Sequence, residues 1–351
     1  MVVNPQPPEQ GPSDGAGQQQ PPTHSGDEPW SNPQTDTDGQ WAGAGMPAAP
    51  PIAGYDVPAF AQPGYDPLIS PDYAGWWQRS IAIVKVGWKQ LATLQLIGLV
   101  VQMAVQVPLL VFVAVQSNAL ARQTTDPDSA APPDFGPIFA ALGLSLLVTF
   151  AAVVVSAAIA VASMYVGVAI ATRGEASVGP ALGVALRRAF PLIGWQLLGG
   201  LLILAGLCLC LLPAVYPIAV LTILPAVVAF ERTNAVGRCF ALFHRSFGAA
   251  AGRVATILGF TIAGAVVGGL ISEIVAVATG APSGLGLGPA ANDVAMGTLI
   301  LATTISAFVS VTITQAVAVL TGPMILTAYA DLRARAELLS TPTLVNEIGA
   351  A

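Results

Sequence analysis

The stretch RRAFPLIGWQLLGGLLILAGLCLCLLPAVYPIAVLTILPAVVAFER, residues 187–232, decides the fold. It begins with two arginines and ends with a Glu-Arg pair, and it contains no charged residue in between. Its two apolar segments, 192–211 and 214–230, are each close to the ~20 residues that cross the hydrocarbon core of a bilayer. A short uncharged turn at Pro213 joins them. The stretch therefore predicts a transmembrane helical hairpin whose two ends lie on the same side of the membrane.

The same pattern recurs along the rest of the chain. Four further apolar segments have the length of a membrane span: 91–116, 138–171, 254–279 and 295–329. The segments 138–171 and 295–329 are longer than a bilayer core requires, so we expect them to tilt or to continue as helix beyond it. The segment 214–230 contains Pro217 and Pro225, which predict a kink.

The basic residues predict the orientation of these six spans. Twelve of the thirteen lie in four patches: Arg79, Lys85 and Lys89; Arg173, Arg187 and Arg188; Arg232, Arg238, Arg245 and Arg253; Arg333 and Arg335. Loops rich in Lys and Arg stay on the cytoplasmic face. The joins at 117–137 and 280–294 contain only Arg122 as a base, so we expect them outside. We therefore predict a multi-pass protein of the cytoplasmic membrane with both termini cytoplasmic.

A weak threefold repeat accompanies this topology. When Trp88, Phe190 and Phe247 are aligned, Lys85, Arg187 and His244 each fall three residues earlier. Short helices with an aromatic apolar face and a basic face lie flat at the level of the lipid headgroups. The predicted fold is thus an all-α integral membrane protein, in which six transmembrane helices form three hairpins and an interfacial amphipathic helix precedes each.

The ends of the chain differ from this central part. Residues 1–72 contain nine acids and no Lys or Arg, and the remainder carries all thirteen bases against ten acids. We predict a disordered, acidic, Pro/Gly/Gln-rich cytoplasmic tail over 1–70, a transmembrane domain over 71–340 and a short flexible C-terminus over 341–351. The tail contains aromatic residues that are candidate contacts for a partner; an inert spacer with incidental aromatics is the default interpretation. The scattered arginines are better explained by topology than by binding to nucleic acid.

Polar side chains form stripes on three of the apolar segments. Those we single out as a candidate polar lining are Gln95, Gln102, Gln106, Ser156, Ser163, Ser310 and Thr314. Small and hydroxyl-bearing residues let helices approach closely and hydrogen-bond across their interface, which is the default interpretation. The alternative is that the stripes line a narrow polar cavity.

Charged residues near the span ends are candidates for structural or headgroup contacts. They are Glu231, Arg187, Arg188, Arg238, Arg245, Asp331, Arg333 and Arg335. A basic collar of this kind is suited to the anionic headgroups of the inner leaflet. We predict that Glu231 pairs with one of the nearby arginines and orients its helix, with no catalytic role.

Signals of catalysis or of cofactor and metal binding are weak. The only histidines are His24 and His244, so neither a metal cluster nor a Ser-His-Asp arrangement can be assembled. The glycine-rich stretch 284–289 lacks the spacing of a phosphate-binding loop. Glu273 is the only acid inside a predicted span, near its outer rim, where solvation is favoured over a proton relay. We expect no cofactor, no metal and no catalytic residue.

Two stretches carry a family resemblance. They are LPAVVAFERTNAVGRCFALFHRSF at 224–247 and GPMILTAYADLRARAEL at 322–338. In them the chain resembles actinobacterial Pro/Gly-rich multi-pass membrane proteins related to the membrane domain of glycerophosphoryl diester phosphodiesterases. The matching positions are Pro225, Glu231, Ala241, Leu242, Arg245, Ser246, Tyr329, Asp331, Leu332, Arg333 and Arg335. The resemblance implies a helical membrane bundle; the catalytic barrel that some relatives carry has no counterpart in this sequence.

These observations favour a non-enzymatic function. We expect a membrane scaffold or accessory subunit whose tail recruits a cytoplasmic or envelope-synthesis partner. The alternative is a transporter of small solutes or lipids that uses the polar stripes of the first, second and sixth spans. An intramembrane enzyme is disfavoured because the spans contain almost no acid or base.

Overall fold

The computed structural model describes residues 66–125, 136–209, 211–279, 296–337 and 339–349. Over these ranges the chain forms α-helices and no strand, as the apolar segments predict, since a helix satisfies its own backbone hydrogen bonds in lipid. The helices are α1 (Tyr73–Thr125), α2 (Gly136–Arg173), α3 (Val178–Leu209), α4 (Leu211–Leu221), α5 (Leu224–Phe230), α6 (Ala235–Arg245), α7 (Phe247–Thr279), α8 (Met296–Ala336) and α9 (Thr341–Gly349).

Within these described ranges, six helical segments are long and apolar enough to cross a membrane. They lie in α1, α2, α3, α4 with α5, α7 and α8, so the chain is a multi-pass helical membrane protein. α1 has 53 residues and α8 has 41. At 1.5 Å per residue these helices are about 80 Å and 60 Å long, against a hydrocarbon core of about 30 Å. Both therefore tilt or extend beyond the membrane, as α1 does into the join predicted at 117–137.

The fourth span is broken beside Pro225, one of the two prolines that predict a kink, whereas Pro217 lies inside the continuous helix α4. α4 ends at Leu221 and α5 begins at Leu224, with a turn at Thr222 and Ile223 between them. Pro225 is at the start of α5. A proline has no N–H to bond the carbonyl four residues earlier, and its ring clashes with that carbonyl. The interruption at Leu221 follows from this missing bond.

The helices pack in the order α7, α8, α1, α2, α3, α4, with neighbours in this series making the main contacts. The second half of α2 is the centre of the core, since Val161, Ala162, Val166 and Ile170 are almost fully buried. It also contacts α5, α8 and α9. Large apolar side chains on α3 and on the outer faces of α2 and α7 are exposed, as expected of surfaces that meet lipid.

The three predicted interfacial segments differ in how they join the spans. In the first two, the segment is the N-terminal part of the same continuous helix as the span, α1 or α3. Only the third is a separate helix, α6, which ends at Arg245, with Ser246 between it and α7. Asn234 caps it by accepting a hydrogen bond from the Gly237 N–H at 3.1 Å. α6 packs against α4 and α5, and Phe243 is buried there.

Both ends of the described chain are more ordered than expected. Residues 1–65 lie outside the described residues, but 66–72 fold against the helices: Asp66 accepts bonds from the Leu68 and Ile69 N–H groups. Asp66 also accepts from the Thr341 N–H at 2.8 Å. We expected a flexible C-terminus over 341–351; residues 341–349 instead form α9, with Leu344 fully buried. Capping by Asp66 and burial of Leu344 explain the difference.

A glycine in α3 provides a test of the hairpin with α4. A Cβ added at Gly206 would lie 2.9 Å from the Ala214 Cα, which is backbone and cannot rotate away. We expect Gly206→Ala to destabilise the protein by about 1–3 kcal/mol through overpacking, measured by reversible unfolding in detergent. A Cβ at Gly200 on the same helix would meet nothing within 4 Å. Gly200→Ala is therefore the control, and equal losses in the two variants would contradict the close approach.

Candidate functional site

Polar and charged side chains gather in two regions. The first, here called the charged end, is formed by residues 66–90 and the parts of α5 to α9 that contact Glu231, Arg253, Asp331 and Arg333. The second, called the groove, lies among α1, α2, α3 and α8 within the predicted spans. We describe the charged end first, because it holds the helices that form the groove.

Arg253 and Asp331 form a buried ion pair at the centre of the charged end. Their side chains are each only 2% exposed, and a guanidinium nitrogen of Arg253 contacts an Asp331 carboxylate oxygen. Arg253 also donates to the Asp72 carbonyl at 3.1 Å and lies 5.9 Å from the centre of the Trp76 ring. Arg335 lies 3.5 Å from the same carboxylate. The pair thus joins α7 and α8 to the beginning of α1.

A second network surrounds Glu231, at the end of α5. Arg238 binds Glu231 at 2.7 Å, which is the type of pair predicted from the sequence. The Tyr329 hydroxyl donates to the other Glu231 oxygen at 2.8 Å. Arg333 lies between Glu231 and Glu347, and it makes two bonds of 2.7 Å to Glu347 of α9. The network ties α5, α6, α8 and α9 together.

Glu337 completes this second network. It pairs with Arg238 and, at 3.0 Å, with Arg333. Partial burial opposes ionisation of Glu337, but the bonds from these arginines outweigh it and lower the pKa of the carboxyl below its usual value. The pKa of Arg238 is raised in the same way, since attraction to Glu231 exceeds the effect of burial. Both ion-pair partners therefore remain charged at neutral pH.

Several bases near the ends of the predicted spans make no ion pair with another described residue. They are Lys85, Lys89, Arg173, Arg187, Arg188 and Arg245. All but Arg188, which is half-buried next to Tyr165, are exposed. The predicted headgroup residues therefore separate into two groups. Glu231, Arg238, Asp331, Arg333 and Arg335 hold helices together, whereas Arg187, Arg188 and Arg245 belong to the group without ion pairs.

The groove is a cavity of about 480 Å³ bordered by four helices. Its lining residues are Gln102, Gln106, Leu109, Leu110, Val148, Thr149, Ala152, Val153, Ser156, Gln196 and Ala307. α2 contacts both α1 and α3, but these two barely contact each other, and the groove lies along the face of α2 between them. Thr149, Val153, Ser156 and Gln196 are exposed on the outer surface of the bundle, so the groove is open on that side.

Three of the predicted lining residues border the groove, and four do not. Gln102, Gln106 and Ser156 belong to the groove. Gln95 and Ser163 are buried and bond each other at 3.3 Å between α1 and α2. Ser310 faces α7 and bonds Ser272 at 2.9 Å, and Thr314 bonds the Ser310 carbonyl within α8.

Gln196 and Gln315 are polar residues that the stripe analysis missed. Gln196 lines the groove from α3, and Gln315 on α8 donates to the Gln102 side chain at 3.3 Å. Gln196 is an isolated glutamine in an apolar stretch, and Gln315 follows Thr314 but lies about 100° from it around the helix, so no stripe marks either residue. A search for every amide inside a span, whatever its spacing, would find both.

Groups with potential chemical reactivity are sparse in the described part of the chain. It contains no group of three His, Cys, Asp or Glu residues placed to hold a metal ion. His244 bonds the Tyr216 hydroxyl at 2.7 Å and the Phe240 carbonyl at 2.8 Å, so its ring is held within the α4–α6 contact. Burial raises the pKa of the Cys239 thiol to about 12, which keeps it protonated. Glu273 is half-buried on α7, next to the residue that bonds Ser310.

Comparison with known proteins identifies no relative of this chain. No protein-family model, curated protein or solved structure matches this chain. The resemblance to the membrane domain of glycerophosphoryl diester phosphodiesterases therefore stays a prediction.

The buried pair at the charged end can be tested by removing one charge. Asp331→Asn keeps the size of the side chain but removes the counter-charge of Arg253. The Arg253 guanidinium then stays buried with only carbonyl oxygens as acceptors and with the like charge of Arg335 nearby. Loss of one member of a buried pair costs about 3–5 kcal/mol, so we expect a large fall in the free energy of unfolding, measured in detergent. Arg187→Gln removes an exposed charge and is expected to change it by less than about 0.5 kcal/mol. Similar effects for the two variants would show that the pair does not hold the helices.

Proposed function

We propose that this membrane protein binds a small solute or a lipid in the groove, without catalysing a reaction. The observation that supports this is a cavity within the predicted spans whose polar groups are amides and hydroxyls: Gln102, Gln106, Gln196, Thr149 and Ser156. Its volume of about 480 Å³ is within the range of pockets that bind small molecules, about 300–1,000 Å³.

The hydrogen bonds of the glutamine side chains favour a role in ligand binding over a role in helix packing alone. Gln95 and Gln102 each bond a side chain of a neighbouring helix, which is the packing role. Gln106 and Gln196 make no hydrogen bond with another described residue. An amide without a partner inside a membrane is costly. Binding of a ligand that supplies these bonds removes that cost.

The scaffold remains a second proposal, supported by the composition of the tail rather than by a site. Seven acids and no base occur over 1–65, a pattern typical of a solvated segment that contacts partners. The two proposals make opposite predictions for a chain without these residues. A scaffold loses its partner, whereas a protein that binds through the groove keeps its ligand.

We propose that the charged end faces the cytoplasm, with both termini on that side and the exposed bases near anionic headgroups of the inner leaflet. The support is the gathering of the basic residues at one end of the spans. We expect a green fluorescent protein fused after residue 351 to fluoresce and an alkaline phosphatase fused there to be inactive. Active phosphatase at this position would place the C-terminus outside.

The groove can be tested by filling it from its open side. Val153 lines the groove and is 37% exposed, so Val153→Trp adds a large side chain there with little disturbance of the core. Leu146→Trp, on the same helix at a position 73% exposed and outside the groove, is the matched control. We expect the protein purified in mild detergent to carry a bound small molecule or lipid, which Val153→Trp loses and Leu146→Trp retains, as measured by mass spectrometry of the extracted complex. Equal retention in both variants would contradict binding in the groove.

A further inference from the structure

We propose that the groove selects an amphiphile with an uncharged, hydroxyl-rich head, which enters sideways from the bilayer. This rests on the proposed function and specifies its ligand. Three features of the groove support it: the absence of charge around it, the nature of its polar groups and its opening on the outer surface of the bundle.

The surroundings of the groove exclude a charged head. None of its eleven lining residues is ionisable. The spans that contribute them also contain no charged residue over 90–113, 139–172, 189–209 and 297–330. A charge at this depth needs a counter-charge to offset its desolvation. An anionic phospholipid head would find none here, so an uncharged head is favoured.

The polar groups match hydroxyls. Each glutamine amide offers donors and an acceptor, and each Ser or Thr hydroxyl does both. Gln102, Gln106 and Gln196 approach from two helices, with Ser156 and Thr149 on a third. A head with several hydroxyl groups, such as a sugar, presents donors and acceptors in all directions and satisfies this set. An apolar ligand would leave the amides unpaired.

The position and size of the groove favour an amphiphile over a free sugar. Gln102 lies about 20 Å along α1 from Trp88, which puts the groove well inside the apolar part of the bundle. Its open side, at Val153, Ser156 and Gln196, is flanked by the exposed apolar residues Phe150 and Leu197. A head in the groove therefore has its acyl chains in the surrounding lipid, and a volume of about 480 Å³ holds a head but not a whole two-chain lipid.

A second copy of the chain fits this surface less well. Helices that pack against each other in membranes interlock closely, with small residues at the contact. The groove is instead a concave space of pocket size, and the exposed residues next to its lining residues in sequence include the large side chains of Phe150 and Leu197. A second copy is nevertheless a measurable outcome of the test below.

The test compares three probes on the full-length protein. The probes are monoglucosyl diacylglycerol, phosphatidylglycerol with the same acyl chains, and glucose. Binding is measured by native mass spectrometry from an amine-oxide detergent, because a sugar-headed detergent would compete. We expect the glucolipid to bind at least about tenfold more tightly than phosphatidylglycerol, and glucose not to bind at the same concentrations.

Two sets of variants locate the binding. Gln106→Leu with Gln196→Leu removes two hydrogen-bonding amides, and we expect affinity for the glucolipid to fall about tenfold. Gln116→Leu, on α1 beyond the groove, is the matched control and should leave affinity unchanged. Val153→Trp should abolish binding and Leu146→Trp should not. Thermal unfolding of each variant shows that it is folded.

The outcomes distinguish failure of the inferred ligand class from failure of the proposed binding in the groove. Equal or tighter binding of phosphatidylglycerol that Val153→Trp abolishes would overturn the neutral head and leave the proposed function standing. Binding of glucose alone in the groove would overturn the amphiphile. If Val153→Trp affects no probe, or if it changes only the number of protomers per complex, both the inference and the proposed function are wrong.

Discussion

The burial of Arg253 beside Asp331 is the constraint on which the arrangement of the helices depends. An arginine at this degree of burial needs a counter-charge and hydrogen-bond acceptors, and the observed position of α7 relative to α8 and to residues 70–76 supplies both. Such a pair contributes little net stability compared with apolar packing, and we infer that its main effect in this protein is to favour one geometry. It therefore sets the register of three long helices more than it stabilises them.

That register extends along the bundle towards the groove. Beyond the ion pair, Ser80 of α1 bonds Thr327 of α8 at 2.7 Å, and further along Gln102 bonds Gln315 of the same helix. Each contact is a polar pair between two largely apolar helices, and it favours the observed alignment of the two. Because α1 is held against α8 in this way, its next glutamine, Gln106, faces the groove together with residues of α2 and α3. The groove is thus a consequence of the same polar pairs that align the bundle.

Features that depend on the order of residues along the chain could be predicted from the sequence. Features that depend on which helix or side chain packs against which other one could not. The six spans follow from apolar length, and the break before Leu224 follows from Pro225, because both are local properties. The stripe of Gln95, Gln102 and Gln106 was visible as one face of α1. Its members nevertheless have different neighbours, because a helix face does not specify which helix covers it. For the same reason the pairing of Arg253 with Asp331, more than 70 residues apart, left no mark in the sequence.

The threefold repeat is visible in the sequence and also has a structural counterpart. Trp88, Phe190 and Phe247, the aromatic residues aligned in the three units, are 55%, 61% and 57% exposed. The residues three positions earlier, Lys85, Arg187 and His244, are also exposed. These side chains are exposed at equivalent positions of the three units, although only one unit has a separate helix. A shared environment outside the protein explains this better than shared packing inside it. An aromatic ring with a basic group beside it suits the boundary between headgroups and hydrocarbon. We therefore propose that the three units share their contact with the membrane surface, while the buried pairs that distinguish them align the helices around the groove.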